Sequence, residues 1–125
     1  MKYKLRPRKN PQDRQSPGKW YATPINGGKV EQSEVAEDIV SLSSLSRGDV
    51  GNVISCLIDT VPRYLLMDKS VHLGELGTFR ISFSSEGVDD PKDFTVNKIS
   101  GVRVVFTPSV ELKKKLENIH FEKGE

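Results

Sequence analysis

Cysteine is nearly absent from this chain of 125 residues, Cys56 being the single one. One thiol closes no internal disulfide, so the fold owes nothing to an oxidising compartment. Histidine is almost as scarce: His72 and His120 stand far apart, and nothing has metal-ligand spacing. No metal or cofactor is expected. No apolar run is long enough to span a membrane, and the basic opening M-K-Y-K-L-R-P-R-K has no apolar stretch behind it, unlike a secretory signal. The default is a cytoplasmic protein with no membrane partner. Catalytic signals are missing as well. G-E-L-G at 74–77 is too short for a phosphate loop and follows a strand without opening a helix. Cys56 falls in a helical apolar stripe, where a buried small hydrophobe is the ordinary role. Asp89, Asp90 and Asp93 read as an exposed acidic loop rather than a cation site. Neither an enzyme nor a small-molecule substrate is expected.

What remains is an ordinary composition, 35% hydrophobic and 29% charged, which fits one folded domain with a modest core. The net charge of +2 hides an asymmetry. Residues 1–29 carry eight Lys or Arg against Asp13 alone, a balance of +7, while the remainder stands at −5. A segment so basic suits a polyanion, although a solvated arm has the same composition.

The central pattern is V-H-L-G-E-L-G-T-F-R-I-S-F at 71–83. A short strand, Val71 to Leu73, leads through a Gly74–Gly77 turn into an alternating strand. Phe79, Ile81 and Phe83 occupy one face of it, and Thr78, Arg80, Ser82 and Ser84 the other. Upstream, Tyr3 and Leu5 alternate with Lys2, Lys4 and Arg6, predicting an edge strand over about 2–8. Trp20 and Tyr21 suggest a second over 19–23, stopped by Pro24. Tyr3, Leu5, Trp20 and Tyr21 are too apolar for a free tail, so this segment is expected to fold onto the domain, with edge pairing near Phe121.

Apolar spacing at Val35, Ile39 and Leu42 predicts a helix over 30–45. Ser46 and Asp49 form a capping-box signature for the next helix, with Leu45 and Val50 as its staple. That helix carries a broad stripe from Val53 to Leu66, and Pro62 should kink or split it. Residues 84–94 are polar. Strand character resumes at 95–99 and 102–106 around a bulge or kink at Ser100–Gly101. A last helix covers 109–118.

In this order, L-S-R-G-D-V, then D-K-S-V-H-L-G-E-L-G-T-F-R-I, then V-V-F-T-P-S-V-E-L-K-K-K-L resemble the HU/IHF family of bacterial histone-like DNA-binding proteins. The match covers residues 30–119. The basic segment with K-W-Y-A, together with S-S-E-G-V, resembles the extended HU-related branch of Bacteroides-type bacteria. The resemblance implies an α+β, HU/IHF-like intertwined homodimer: two N-terminal helices, a three-stranded sheet with a β-ribbon arm and a C-terminal helix. An extra N-terminal β segment at 1–29 would precede the HU-like domain at 30–125.

The implied function is a nucleoid protein binding double-stranded DNA with little sequence preference. Phe79 and Phe106 fall on the family's core phenylalanines. Arg80, Lys98 and Arg103 on the strands, and Lys113, Lys114 and Lys115 on the last helix, are candidate phosphate contacts. So are Arg6, Arg8, Lys9 and Arg14 in the basic segment. Pro91, beside Lys92, is either the arm's wedge or a plain turn proline. Family arms are rich in Arg and Lys, whereas here Glu86, Asp89, Asp90 and Asp93 surround Lys92. The alternative is an HU-fold protein-interaction or structural dimer that has lost the DNA-clamping arm.

Overall fold

The computed structural model describes residues 1–13 and 15–124. Its elements run β1 (Lys2–Arg8), β2 (Lys19–Pro24), α1 (Gln32–Leu42), α2 (Arg47–Leu65), β3 (Val71–His72), β4 (Gly77–Ser85), β5 (Ile99–Pro108), α3 (Val110–Lys115) and β6 (Glu122–Lys123). They form two three-stranded sheets, ordered β2-β1-β6 and β3-β4-β5, in a mixed α+β arrangement with three helices.

Helix α2 starts where the capping signature places it. Ser46 Oγ accepts from the Asp49 backbone N–H at 3.1 Å, and Asp49 Oδ2 accepts from the Ser46 backbone N–H at 3.2 Å. Two otherwise orphaned donors are thereby satisfied. The Ser46 hydroxyl, and then its backbone N–H, hold the Asp49 carboxyl below its ordinary pKa. Val50, the inner half of the expected staple, is 2% exposed, whereas Leu45 stays exposed. The helix passes Pro62 without a break, so the expected split does not occur. Pro62 has no N–H to donate, but its own carbonyl still accepts from Leu66 at 2.9 Å. Both outer helices are shorter than their apolar spacing suggested. α1 covers 32–42 rather than 30–45, and α3 covers 110–115 rather than 109–118, with Ser109 as its cap.

The β3-β4-β5 sheet follows the alternating pattern. Phe79 pairs with Phe106 and Ile81 with Val104 on one face; Thr78 pairs with Thr107 and Ser82 with Arg103 on the other. The two phenylalanine rings lie 5.0 Å apart at 40°, a tilted aromatic pair. Gly77 is the position that lets β4 leave its turn. At φ +149° it has a backbone that favours glycine, and a Cβ there would strike the Thr107 carbonyl and the Phe106 ring. The bulge expected at Ser100–Gly101 is present, with Gly101 at φ +66° and a register shift between Ser82 and Ser84.

Beyond that bulge the structure departs from the sequence expectation. Residues 95–98 do not resume a strand, and the 86–98 excursion is not a β-ribbon arm. Two 3₁₀ turns, Pro91–Asp93 and Val96–Lys98, shape it instead. Asp90 caps the first by accepting from the Lys92 N–H at 3.0 Å, and the Glu86 N–H donates to the Lys98 carbonyl at 2.9 Å. Local Asx-type bonding competes with ladder pairing, and wins in so short and polar a stretch.

Few side chains are buried. Ala36, Val50 and Leu65 form the core, while Val53 and Ile58 on α2 are both 58% exposed. Cys56 is exposed too, contrary to the buried role expected of it. The stripe on α2 is wider than α1 covers, so its outer half, Cys56 included, faces outward. The accessible surface is 10960 Å². A compact 14.0 kDa chain would expose about 6,700 Å², leaving an excess of roughly 4,000 Å².

Candidate nucleic-acid interface

The basic segment folds as a hairpin, joined not to the β3-β4-β5 sheet but to the end of the chain. β1 pairs antiparallel with β2 over six residue pairs and parallel with β6 at Lys2–Glu122 and Tyr3–Lys123. The sequence places this segment on the domain with edge pairing near Phe121; the pairing forms one residue further on, at β6.

The β1–β2 register sorts the side chains by chemistry. Lys4 stands opposite Thr23, Arg6 opposite Tyr21 and Arg8 opposite Lys19. Cross-strand partners share a face, so Lys2, Lys4, Arg6, Arg8 and Lys19 lie together, with Tyr21 among them. Tyr3, Leu5, Pro7, Trp20, Ala22 and Pro24 take the opposite face, on which Trp20 is 64% exposed. Lys2, Lys4, Lys19 and Tyr21 do not stand out as site residues in the sequence. Lys2 and Lys4 share the face of Arg6 through the alternation within β1, whereas the membership of Lys19 and Tyr21 depends on a register between strands ten residues apart, which composition does not reveal.

At the open end Arg8, Lys9, Lys19 and Tyr21 line a cleft of about 660 Å³. Gly18 permits this closure, since a Cβ there would lie 2.6 Å from the Arg8 carbonyl oxygen. Arg14, named with this group from the sequence, lies outside the described residues.

The other candidates are dispersed. Arg80 is exposed on the polar face of β4, diagonal to Arg103. Arg103 Nη1 donates to Ser84 Oγ at 3.2 Å and to the Gly101 carbonyl at 3.3 Å, which holds its guanidinium against the bulge. Lys98 pairs with Glu86 at 3.9 Å, so its charge is met within the chain. Pro91 opens a 3₁₀ turn, and Lys92 follows it between Asp90 and Asp93. Lys113 and Lys114 occupy the last turn of α3, where they suit the negative end of the helix dipole. Among the described residues only the hairpin gathers several cations on one strand face.

Among the described residues no group of three or more His, Cys, Asp or Glu is arranged to hold a metal ion. His72 Nδ1 lies 2.9 Å from Thr78 Oγ1, a cross-strand contact between β3 and β4. No helix among the described residues is long and apolar enough to cross a membrane.

The fold and this ribbon agree with what the chain resembles. A family model described as HU-HIG, an HU domain fused to a winged helix-turn-helix, an Ig domain or a glycine-rich motif, matches residues 1–123. The chain belongs to the HU-HIG family. The match begins at the N-terminus, so it takes in the ribbon as well as the helices and the larger sheet. No curated protein matches the chain in sequence. Among 13 solved chains that do match in structure is a protein from Bacteroides vulgatus ATCC 8482, provisionally described as a bacterial DNA-binding protein. The TM-score is 0.63 at 14% identity, over 98% of this chain and 47% of that one. At that identity the likeness is one of fold. This HU-HIG chain spans about half the length of its structural neighbour.

Proposed function

We propose that this HU-HIG chain is a nucleoid-type protein of the extended, Bacteroides-type HU branch that binds duplex DNA as a homodimer. It does so with little sequence preference and through backbone charge. The observation that carries DNA binding is the cationic face of the β1–β2 ribbon. Its cations are free of ion pairs among the described residues, and they stand about 7 Å apart along each strand. Such an array meets phosphates, which carry no sequence information, rather than base edges. Arg80, Arg103, Lys113 and Lys114 are secondary contacts; Lys98 contributes little because Glu86 pairs with it, and Pro91 and Lys92 because acids flank them.

The excess surface supports dimerisation. Val53, Leu57 and Ile58 on α2, with Phe83, Val104 and Phe106 on the larger sheet, are all exposed in the single chain. An obligate homodimer interface, commonly 2,000–5,000 Å² in total, would cover about 1,000–2,500 Å² of each chain, part of the excess of roughly 4,000 Å². The acidic 86–93 loop supports a second reading, an HU-fold dimer that binds a protein rather than DNA.

The test is an anisotropy titration with duplex DNA at two salt concentrations, beside light scattering at micromolar protein. A dimer whose affinity falls steeply with salt is the expected result. A monomer would sink the dimer, and absence of duplex binding at low salt would hand the function to the protein-interaction reading.

A further inference from the structure

The β2-β1-β6 sheet is apolar on the face turned away from its cations, and that face is uncovered. Leu5 pairs with Ala22 at its middle, Pro7 with Trp20 at one end and Tyr3 with Pro24 at the other. Among the described residues no helix and no strand of the larger sheet packs broadly against it. Met1, Leu5, Trp20 and Phe121 are 44% to 69% exposed. A sheet hides one such face against a second layer, which the rest of the described chain does not supply. The two ends of the face differ in shape. Trp20 is the exposed knob at one, while Met1, Tyr3, Ala22, Pro24 and Phe121 help line a hollow of about 290 Å³ at the other. Knob and hollow lie roughly 13 Å apart along β2, with Leu5 and Ala22 midway. Lys123 shares the face by its register with Tyr3, but it stands on the edge strand, at the rim.

We propose that this face docks on the same face of a second copy, about a twofold axis near Leu5 and Ala22. In an isologous contact residue i meets j while j meets i, so each Trp20 enters the other copy's hollow. A knob and a hollow on either side of one centre are what that symmetry requires. Covering Met1, Leu5, Trp20 and Phe121 removes roughly 500 Å² per chain, on the order of 1,000 Å² in all, where specific interfaces begin. Charge fixes the orientation. Lys2, Lys4, Arg6, Arg8 and Lys19 lie on the opposite face, so this stacking buries none of them, whereas any other stacking of two ribbons brings cations into the contact. The contact uses none of the α2 or larger-sheet residues assigned to the homodimer above. Stacked sheets lie about 10 Å apart, so the pair turns two cationic faces in opposite directions. It can then hold one duplex on each side, a bridging role that rests on the duplex-DNA reading above; the docking itself does not.

Cross-linking tests the docking on the full chain in a Cys56→Ser background. A short bismaleimide should join two copies of Ala22→Cys, near the axis, and fail with Thr23→Cys on the cationic face. No Ala22→Cys cross-link, or equal cross-linking at both positions, overturns the docking. Acrylamide quenching of Trp20, the only tryptophan, should be weak at micromolar protein and rise on dilution. A shielded Trp20 without the cross-link would mean that another surface, such as the outer stripe of α2, covers the face, and overturns the symmetric pairing. Bridging is read as capture of a labelled duplex on beads that carry another duplex. Wild type should capture it. Trp20→Ser should bind a single duplex within about threefold of wild type yet lose capture, since no charge changes. Capture retained by Trp20→Ser, or wild type binding one duplex without capturing a second, overturns the bridging. If no duplex binds at low salt while Ala22→Cys still cross-links, the docking stands and the duplex reading falls alone.

Discussion

Two antiparallel hairpins make up most of the strand content of this molecule, and they divide its chemistry between them. The β4–β5 hairpin presents Phe79, Ile81, Phe106 and Val104 on one face and ends in a loop bearing Glu86, Asp89, Asp90 and Asp93. The β1–β2 hairpin presents Lys4, Arg6, Arg8 and Lys19 on one face and ends in a loop bearing Lys9. The first therefore has the surface of a scaffold and the second that of a polyanion contact. A fold's usual functional element and the element that carries the matching charge are different pieces of chain here. Electrostatics, not position in the fold, decides which one suits a polyanion, because an acidic tip is repelled by phosphate at any register.

The largest expected effect separates the two hairpins by stability. Each has one glycine at a close approach of backbone. Gly77→Ala would combine an unfavourable φ with a collision at Thr107 and Phe106, costing on the order of 3 kcal/mol or more. Since stability is only about 5–15 kcal/mol, the melting transition of the helices should fall steeply. Gly18→Ala meets the Arg8 carbonyl and the Lys9 backbone nitrogen and should loosen the ribbon while leaving the helices within about 1 kcal/mol. Trp20 is the only tryptophan, so its fluorescence follows the ribbon while circular dichroism follows the helices. If Gly18→Ala lowers both signals together, the two hairpins are one cooperative unit and their division of labour fails.

Charge changes come next. Replacing Arg6, Arg8 and Lys9 together by Ala should weaken duplex binding more than Pro91→Ala does. The salt slope should fall by about one unit for each phosphate that the variant no longer neutralises. Asp89→Asn with Asp93→Asn tests the other hairpin. If that loop stays clear of the duplex, affinity should change by less than about threefold, the size of a distant screened charge effect. A silent triple change beside a large gain from the two asparagines would reverse the comparison, making the β4–β5 loop the element near DNA.

Much of this arrangement is legible in the residues, and the misses have a common cause. Period-two alternation locates β1 and β4, the aromatic pair Trp20–Tyr21 ahead of Pro24 locates β2, and the Ser46–Asp49 spacing locates the start of α2, because these signals are local. Gly101 announces its bulge for the same reason. Local pattern also says that α2 has a wide apolar stripe, but it does not say what covers the outer half, so the burial expected of Cys56 is one that this chain alone does not provide. The strand expected at 95–98 fails where Asx capping and 3₁₀ bonding outcompete a weak β pattern. For the candidate site, Arg6, Arg8 and Lys9 are visible as charge. Lys4 joins them by the local alternation of β1, and Lys19 and Tyr21 only through the register, a long-range fact.

The smallest expected effect lies in neither hairpin and calibrates the others. Ser46→Ala removes the hydroxyl that caps α2 and should cost about 1 kcal/mol of stability at neutral pH. It touches no candidate phosphate contact, so the salt slope of duplex binding should stay at the wild-type value. Asp49 gives the same helix start a pH signature. Its folded pKa is depressed from an ordinary 3.8, so its stabilisation is present above that value and is lost as pH falls through the folded pKa. Asp49→Asn should therefore flatten the acid limb of a stability–pH curve measured below about pH 4, leaving the neutral region nearly parallel to wild type. If Ser46→Ala shifts the salt slope instead, the helical base and the ribbon are coupled, and the weakening caused by the triple alanine change would no longer belong to phosphate neutralisation alone.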